Sequence, residues 1–439
     1  MMRRRYRRGG AALAAMVLAL GLTACGGSDN GDDNSSAKKP GEKIELTFWS
    51  WVPGVDKAVA LWNSQNPDVQ VKLADKTVGS QGGYAKMHAA VKADKAPDLV
   101  QMEYQNIPEF LLDDELVDLG EYGADDVADK FVDWQWKQVS YGDGVYAIPQ
   151  ASGPMGLFYR KDLFEKWGIQ PPTTWPEFKE AAKVVREHDA YICTFPPGNS
   201  AWFTALAWQN GANWFGIDGD TWTVDIDSPE TLQVAQFWDE MVKEDLIKTV
   251  GDFSEEWNKD LNTGKIVSWP TAQWGDGVLA AAAPKTEGKW AAAPIPQWDP
   301  SNFMSANWGG SSTAVLKGTD HAEEAMEFAT WLNSDPESID LLIAGAYGWP
   351  AAKDALEGSA LDKPYPFFGG QEINDIFVEA DTAIDVNWGW IPTVSETYAH
   401  LNDGFQKAVD GEGSFVETVK EAQQQTVEDL EARDLNAQG

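Results

Sequence analysis

From residue 43 onward, short runs of β-branched and aromatic residues alternate with longer segments whose apolar positions recur at helical spacing. Ile44 to Trp51 predicts a strand. Pro53 then opens a helix whose apolar positions Val55, Val59 and Trp62 share one face, and Asn66-Pro67 stops it. Val69 to Leu73 predicts a second strand, a helix carrying Tyr84, Met87 and Val91 follows, and Leu99 to Met102 after Pro97 predicts a third strand. Strand, helix, strand, helix, strand is the grammar of a parallel half-sheet in an α/β layer.

Tyr141 to Tyr146 places an Asp-Gly centre, Asp143-Gly144, between strand formers and predicts a hairpin. A second α/β unit begins beyond it. Leu157 to Tyr159 is strand-like, Lys161 to Trp167 is helical with Gly168 as its stop, and Thr174-x-x-Glu177 is a capping box opening the helix that bears Phe178, Ala182 and Val185. Start signals recur at Ser228-Pro229, Asp320-x-x-Glu323, Asp335-Pro336 and Ser414-x-x-Glu417, so helices alternate with short strands almost to the end. No internal repeat is visible.

The first residues differ from all this. Arg3, Arg4, Arg5, Arg7 and Arg8 precede an apolar run from Ala11 to Leu22, the order of an export signal. About a dozen apolar residues are too few to cross a hydrocarbon core, which needs roughly 20, so residues 1–24 are expected to be a cleaved signal peptide. Leu22-Thr23-Ala24-Cys25 resembles the bacterial lipobox, which implies lipidation of Cys25; secretion with a chance cysteine is the plainer alternative. Residues 25–42, rich in Gly, Ser, Asp and Asn, are expected to be a lipid-anchored flexible tether with a reach of roughly 20 to 25 Å. The remaining body exceeds one ordinary core, and two domains are the default.

Removing the signal arginines takes the formal charge from -35 to -40, which argues against nucleic acid as a partner. Cys193 is then the one remaining cysteine, in an apolar string where a buried small hydrophobe is expected rather than a nucleophile. His88, His188, His321 and His400 are scattered, with no metal-ligand spacing, and no cofactor or metal is expected. Gly-x-Ser-x-Gly and phosphate-binding glycine loops are absent, and Asp218-Gly219-Asp220 reads as a turn. The acidic runs Asp113-Asp114-Glu115 and Asp125-Asp126 are expected to be solvated.

Several segments in order resemble the extracellular solute-binding proteins of sugar ABC importers, the group that includes maltose-binding protein. They are Tyr146-Ala147-Ile148-Pro149 leading into Leu157 to Leu163, then Pro171 to Phe178, then Gly309-Gly310-Ser311-Ser312 followed by the helix Glu323 to Leu332. The resemblance implies an α/β fold of two lobes, the periplasmic-binding-protein-like fold of type II topology. The chain would cross a hinge near Gln150 to Gly153, near Ser305 to Trp308 and soon after Pro350. The lobes would comprise residues 43–151 with 307–352, and 152–306 with 353–436. It also implies a monomer, lipid-anchored on the extracytoplasmic face of a bacterial cell membrane, that closes on a sugar and delivers it to ABC transporter permease subunits.

A sugar offers hydroxyls at its rim and C–H bonds on its faces, so a receptor needs flat rings and fixed polar groups. The chain has 22 Trp, although an arbitrary Trp is more often packed inside. Trp49 and Trp51 end the first strand, and Glu103 and Gln105 follow the third, where an open α/β sheet places its crevice; a helix cap and a packed aromatic are the duller readings. Trp269 and Trp274 stand in a loop-like context with Asp276, which is either a ligand acceptor or a solvated turn acid. The resemblance puts Trp274 first. Trp308 with Gly309 and Gly310 lies at the second crossing, where glycines let backbone approach a ligand. Trp388 and Trp390 share a late loop resembling one that supplies a stacking Trp, and Tyr347 is a weaker version. Several platforms in both lobes imply an oligosaccharide. The rival readings are a secreted carbohydrate-active enzyme using two carboxylates, and a receptor for another solute such as a polyamine or peptide, held in an aromatic cage.

Overall fold

The computed structural model describes residues 43–79, 82–345, 347–356 and 361–439. The signal segment, Cys25 and the tether lie outside them. Strand β1 (Ile44–Trp49) buries Ile44, Leu46 and Phe48 on one face, and helix α1 (Val55–Gln65) covers it with Val55, Ala58, Val59 and Trp62. Asn66 ends α1 by donating its backbone N–H to the Trp62 carbonyl. Then come β2 (Val69–Asp75), α2 (Gly83–Lys92), β3 (Leu99–Glu103), α3 (Ile107–Leu112) and α4 (Asp133–Lys137). β1 pairs in parallel with both β2 and β3, as the alternation of strand and helix predicts.

The hairpin β4 (Ser140–Tyr141) and β5 (Gly144–Val145) forms, with its turn one residue earlier than expected. Gly142 takes the left-handed conformation at φ 61°, whereas a Cβ on Gly144 would lie 2.7 Å from an Asp118 carboxylate oxygen. Strand β6 (Ala147–Ser152) then runs antiparallel to β12 (Ser311–Val315), which itself runs antiparallel to β3, and β13 (Trp349–Pro350) adds to the far edge of β6. The first sheet therefore has the order β13-β6-β12-β3-β1-β2.

Beyond β6 the chain leaves this sheet. Strand β7 (Met155–Arg160) is the centre of a second one, flanked antiparallel by β10 (Ser268–Ala272) and β11 (Trp290–Pro294). Helices α5 (Lys161–Trp167), α6 (Trp175–Glu187) and α7 (Ser200–Gln209) follow β7. Next come the hairpin β8 (Phe215–Asp218) and β9 (Thr221–Val224), then α8 (Pro229–Lys243), α9 (Glu255–Thr263) and α10 (Gly275–Ala282). Asp218-Gly219-Asp220 is the β8–β9 turn. After β12 come α11 (Ala322–Ser334), α12 (Pro336–Ala344) and α13 (Lys353–Leu356). α14 (Asn374–Thr382), α15 (Val394–Val409) and α16 (Phe415–Ala432) complete the helices, and β14 (Asn436–Gln438) pairs with β9.

Cap chemistry explains several helix starts. Ser228, Asp335 and Ser414 accept backbone N–H groups of the first turn of α8, α12 and α16. Thr174 accepts from Glu177 N, but the Glu177 carboxylate reaches Thr173 (2.7 Å to its hydroxyl) rather than the cap residue itself. Asp320 does not cap α11: the helix begins at Ala322 with His321 at the cap and no side-chain bond. A second correction concerns Asp113-Asp114-Glu115. Glu115 is buried, with its carboxylate 2.6 Å from His88 Nδ1. Cys193 is buried, and burial pushes its thiol up.

Two crossings run side by side. Trp308 N donates to Gly153 O (2.9 Å), Gly153 N donates to Asn307 Oδ1 (2.7 Å), and Met155 N donates to Ala306 O (3.2 Å). After β13 the chain runs on to α14, which packs against β7, and Ser305 forms an isolated bridge with Ile384. Residues 43–439 pack as one compact unit around these connections.

Candidate functional site

At the second crossing, folding gathers three of the sequence candidates. Trp274 caps α10, and its indole N–H donates to Trp308 O at 2.8 Å. The rings of Trp274 and Trp308 lie 4.7 Å apart, and Trp269 stands 6.1 Å from each. Of the three only Trp274 keeps partial exposure. Trp269 is not in a loop: it belongs to β10, whose edge position tolerates Pro270, and it is packed against Trp257 at 5.0 Å. Phe253, which sequence reasoning missed, adds an exposed ring 6.4 Å from Trp274 on a backbone held at φ 64°. A non-glycine residue in that region is uncommon and marks a constrained loop.

Asp276 is not a solvated turn acid. It is buried, its carboxyl is pushed up to about 7 by that burial, and the Gln273 amide approaches it at 3.4 Å. Gly309 and Gly310 both have positive φ, at 77° and 86°. A Cβ on Gly310 would lie 2.8 Å from Ala151 O, so close approach of β6 demands this glycine.

A second group lies where β3 ends. Glu103 Oε2 accepts from the Tyr84 phenol (2.8 Å), and the Gln105 amide is its other polar neighbour. Burial raises the Glu103 carboxyl, against both bonds. Trp51 packs edge-on to Tyr84 at 6.1 Å, and Trp49 lies under Lys86, whose ammonium is 4.8 Å from the ring centre. Both indoles are half-exposed; β1 ends at Trp49, two residues earlier than the sequence predicts, so Trp51 lies beyond the strand. The first turn of α15 meets α3 and the residue before it. Ser395 donates to Glu109 (2.9 Å) and Asn106 approaches Ser395 at 3.4 Å, while burial raises the Tyr398 phenol. Nothing in the local sequence around Tyr398 distinguishes it from an ordinary helix-face aromatic.

Trp388 and Trp390 meet in a third group. Trp388 is sandwiched by Trp208 at 4.7 Å and 14°, and its carbonyl accepts from Gln138 of α4. Trp390 stands edge-on to Trp388 at 5.6 Å, and the indole N–H groups of both lack a hydrogen-bond partner among the described residues. Tyr347 is buried beside Tyr104, and Asp381, another residue the sequence did not single out, lies beside the Trp349 indole.

Among the described residues, His88, Asp113 and Glu115 form one group whose ligand atoms converge closely enough for a cation. His88 also stacks on Phe110 at 4.0 Å. Burial opposes its charged form, yet Glu109 and Glu115 outweigh that and raise its pKa.

Residues 38–338 match the family described as bacterial extracellular solute-binding protein. The chain belongs to that family. The arabinooligosaccharide-binding protein of Halalkalibacterium halodurans is 26% identical to this solute-binding protein over 371 residues, covering 81% of each chain. The galacto-N-biose-/lacto-N-biose I-binding protein of Bifidobacterium longum, solved with lacto-N-biose, superposes with a TM-score of 0.83 at 28% identity, over 91% of this chain and 100% of that one. An ABC transporter associated binding protein from B. animalis subsp. lactis Bl-04, in complex with beta-1,6-galactobiose, gives 0.82 at 25%, with the same coverage. The fold is therefore the two-lobed, type II solute-binding fold. No helix among the described residues is long and apolar enough to cross a membrane.

Proposed function

We propose that this solute-binding protein captures an oligosaccharide between lobes formed by residues 43–151 with 307–352 and residues 152–306 with 353–436, and passes it to the permease of an ABC importer. What supports this is exposed aromatic surface beside polar groups in two places: half-exposed Trp49 and Trp51 near Glu103 and Gln105 where β3 ends, and half-exposed Trp274 near exposed Phe253, which offer ring faces and hydroxyl partners. Of the late pair, Trp390 is the ligand platform, since Trp208 already occupies a face of Trp388. Cys25 carries the lipid that holds the protein at the extracytoplasmic surface, with residues 25–42 as tether. The protein acts as a monomeric binder, not a catalyst.

Calorimetry of the folded chain with arabino-oligosaccharides, lacto-N-biose and β-1,6-galactobiose, alongside spermidine, tests the reading. Saturable binding of a glycan, recovered uncleaved, is the expected result. Binding of the polyamine alone, or the release of shorter sugars, overturns it. Metabolic labelling with a palmitate analogue tests the anchor, and label retained in Cys25→Ala refutes it.

A further inference from the structure

His88 stands on α2, whereas Asp113 and Glu115 belong to the turn that ends α3. Asp114 takes the left-handed conformation there, at φ 57°. The backbone N–H groups of Asp114 and Glu115 donate back to Leu111 O (3.0 Å) and Phe110 O (2.9 Å), which is a Schellman turn. It brings the carboxylates on either side of Asp114 to one imidazole. His88 Nδ1 lies 2.6 Å from Glu115 Oε2 and 3.9 Å from Asp113 Oδ2, and the three ligand atoms lie within 4.8 Å of one another. Phe110, stacked on the ring at 4.0 Å and 18°, fixes its plane.

Two further observations point to an ion. Glu109, Asp113 and Glu115 all approach the imidazole, while the exposed Lys92 ammonium reaches Asp113 only at 3.9 Å. A single imidazolium leaves carboxylates in excess around a buried Glu115, an arrangement that is costly without a further cation. The other observation is the second ring nitrogen. His88 Nε2 is buried and makes no hydrogen bond among the described residues, although Glu109 Oε1 stands 3.5 Å away. An ion on Nδ1 leaves the single ring proton on Nε2, facing Glu109, whose other oxygen accepts from Ser395 at 2.9 Å. Metal-bound imidazoles ordinarily have such a carboxylate behind them.

The spacing fits as well. A tetrahedral ion with bonds of about 2.0 to 2.1 Å holds its donors about 3.3 Å apart. The Glu115 contact needs to widen from 2.6 Å and the Asp113 contact to close from 3.9 Å, each by less than about 1 Å. Asp113 is partly exposed, which opens a path for the ion and leaves room for water as a fourth ligand. One imidazole nitrogen with two carboxylates suits Zn2+ and similar ions rather than Ca2+, which takes roughly six to eight oxygens.

We propose that His88, Asp113 and Glu115 form a binding site for a zinc-class divalent cation, with Glu109 orienting the imidazole from behind. The site stands independently of the glycan reading. Its test is titration calorimetry of the chelator-stripped chain with Zn2+ alone and with Ca2+ alone, and thermal melting in each. One Zn2+ per chain and a raised melting temperature are the expected results, with a far weaker response to Ca2+. Asp113→Asn alters a partly exposed side chain and should weaken Zn2+ binding about a hundredfold, and Glu109→Gln, which can still accept from Ser395, about tenfold. His400→Gln removes the separate His400–Asp429 pair and should leave Zn2+ affinity unchanged. Absence of saturable Zn2+ binding overturns the proposal, as does Ca2+ binding of equal strength, which would mark general attraction to the acidic surface. Unchanged Zn2+ affinity in Asp113→Asn, or an equal loss in His400→Gln, overturns it too by placing the ion elsewhere.

Discussion

At the scale of single residues, the same side chain serves different ends according to what covers its faces. Trp274 is half-exposed and Trp388 is sandwiched, although both sit among Gly, Asn and Gln in sequence. Trp274→Ala should therefore cost glycan affinity of about 1 to 3 kcal/mol through lost stacking area. Trp388→Ala should cost about 3 to 5 kcal/mol of folding stability through a core cavity. Calorimetry and denaturant unfolding on both variants check the contrast, and a reversed pattern would exchange their roles. Asp276 makes a pH prediction. Burial puts its folded pKa at about 7, above its ordinary carboxylate value, so the native state holds a proton that the unfolded chain has released. Its contribution is fully present below the unfolded pKa and is lost as pH rises toward and through 7. Asp252, buried against Thr194 and Asn199, has the same direction and also reaches about 7. Asp276→Asn should thus melt near wild type at pH 4 and above it at pH 8. Equal melting differences at the two pH values would show that Asp276 is ionised in both.

Between elements, the crossings depend on one small residue. An ideal Cβ on Gly153 would lie 2.1 Å from the Trp308 carbonyl oxygen and 2.8 Å from Trp274 Nε1. Gly153→Ala must push the two crossing strands apart and disturb the bond between Trp274 and Trp308, with a cost of about 1 to 3 kcal/mol in unfolding experiments; no measurable loss would mean the strands slide freely. This dependence was not legible beforehand, because Gly153 looks like any loop glycine until Asn307 and Trp308 are beside it. The elements themselves were more legible. β1, α1, β2, α2 and β3 announce themselves by local periodicity, and Asp335 and Ser414 by cap chemistry, since both signals act within a few residues. What local signals could not give was pairing: β12 joins β3 and β6 in antiparallel register from more than 150 residues away, and β10 reads as a loop because Pro270 hides an edge strand. The site divides similarly. Trp49, Trp51 and Glu103 follow from where strands end, whereas Tyr398, Asp381 and Phe253 are brought in by tertiary packing alone.

Taken whole, the six-stranded sheet and the β10-β7-β11 sheet are joined by the chain crossings, and the elements around them also touch through Glu109 with Ser395 and Gln138 with Trp388 O. The crossings are covalent and persist in any state, but the Ser395 contact is a pair of hydrogen bonds at an exposed residue and is worth only about 1 to 2 kcal/mol. Such a contact can tilt the balance between joined and parted lobes without locking it, leaving a bound glycan that touches both sides to supply the remainder. In solution scattering the ligand-free protein should accordingly show a larger radius of gyration than the glycan-bound one. Ser395→Ala should enlarge the ligand-free value further, or leave it at the open limit, while weakening glycan affinity by no more than the contact is worth. If the free and bound profiles superimpose, the lobes do not part, and the glycan must enter a preformed crevice without help from the hinge.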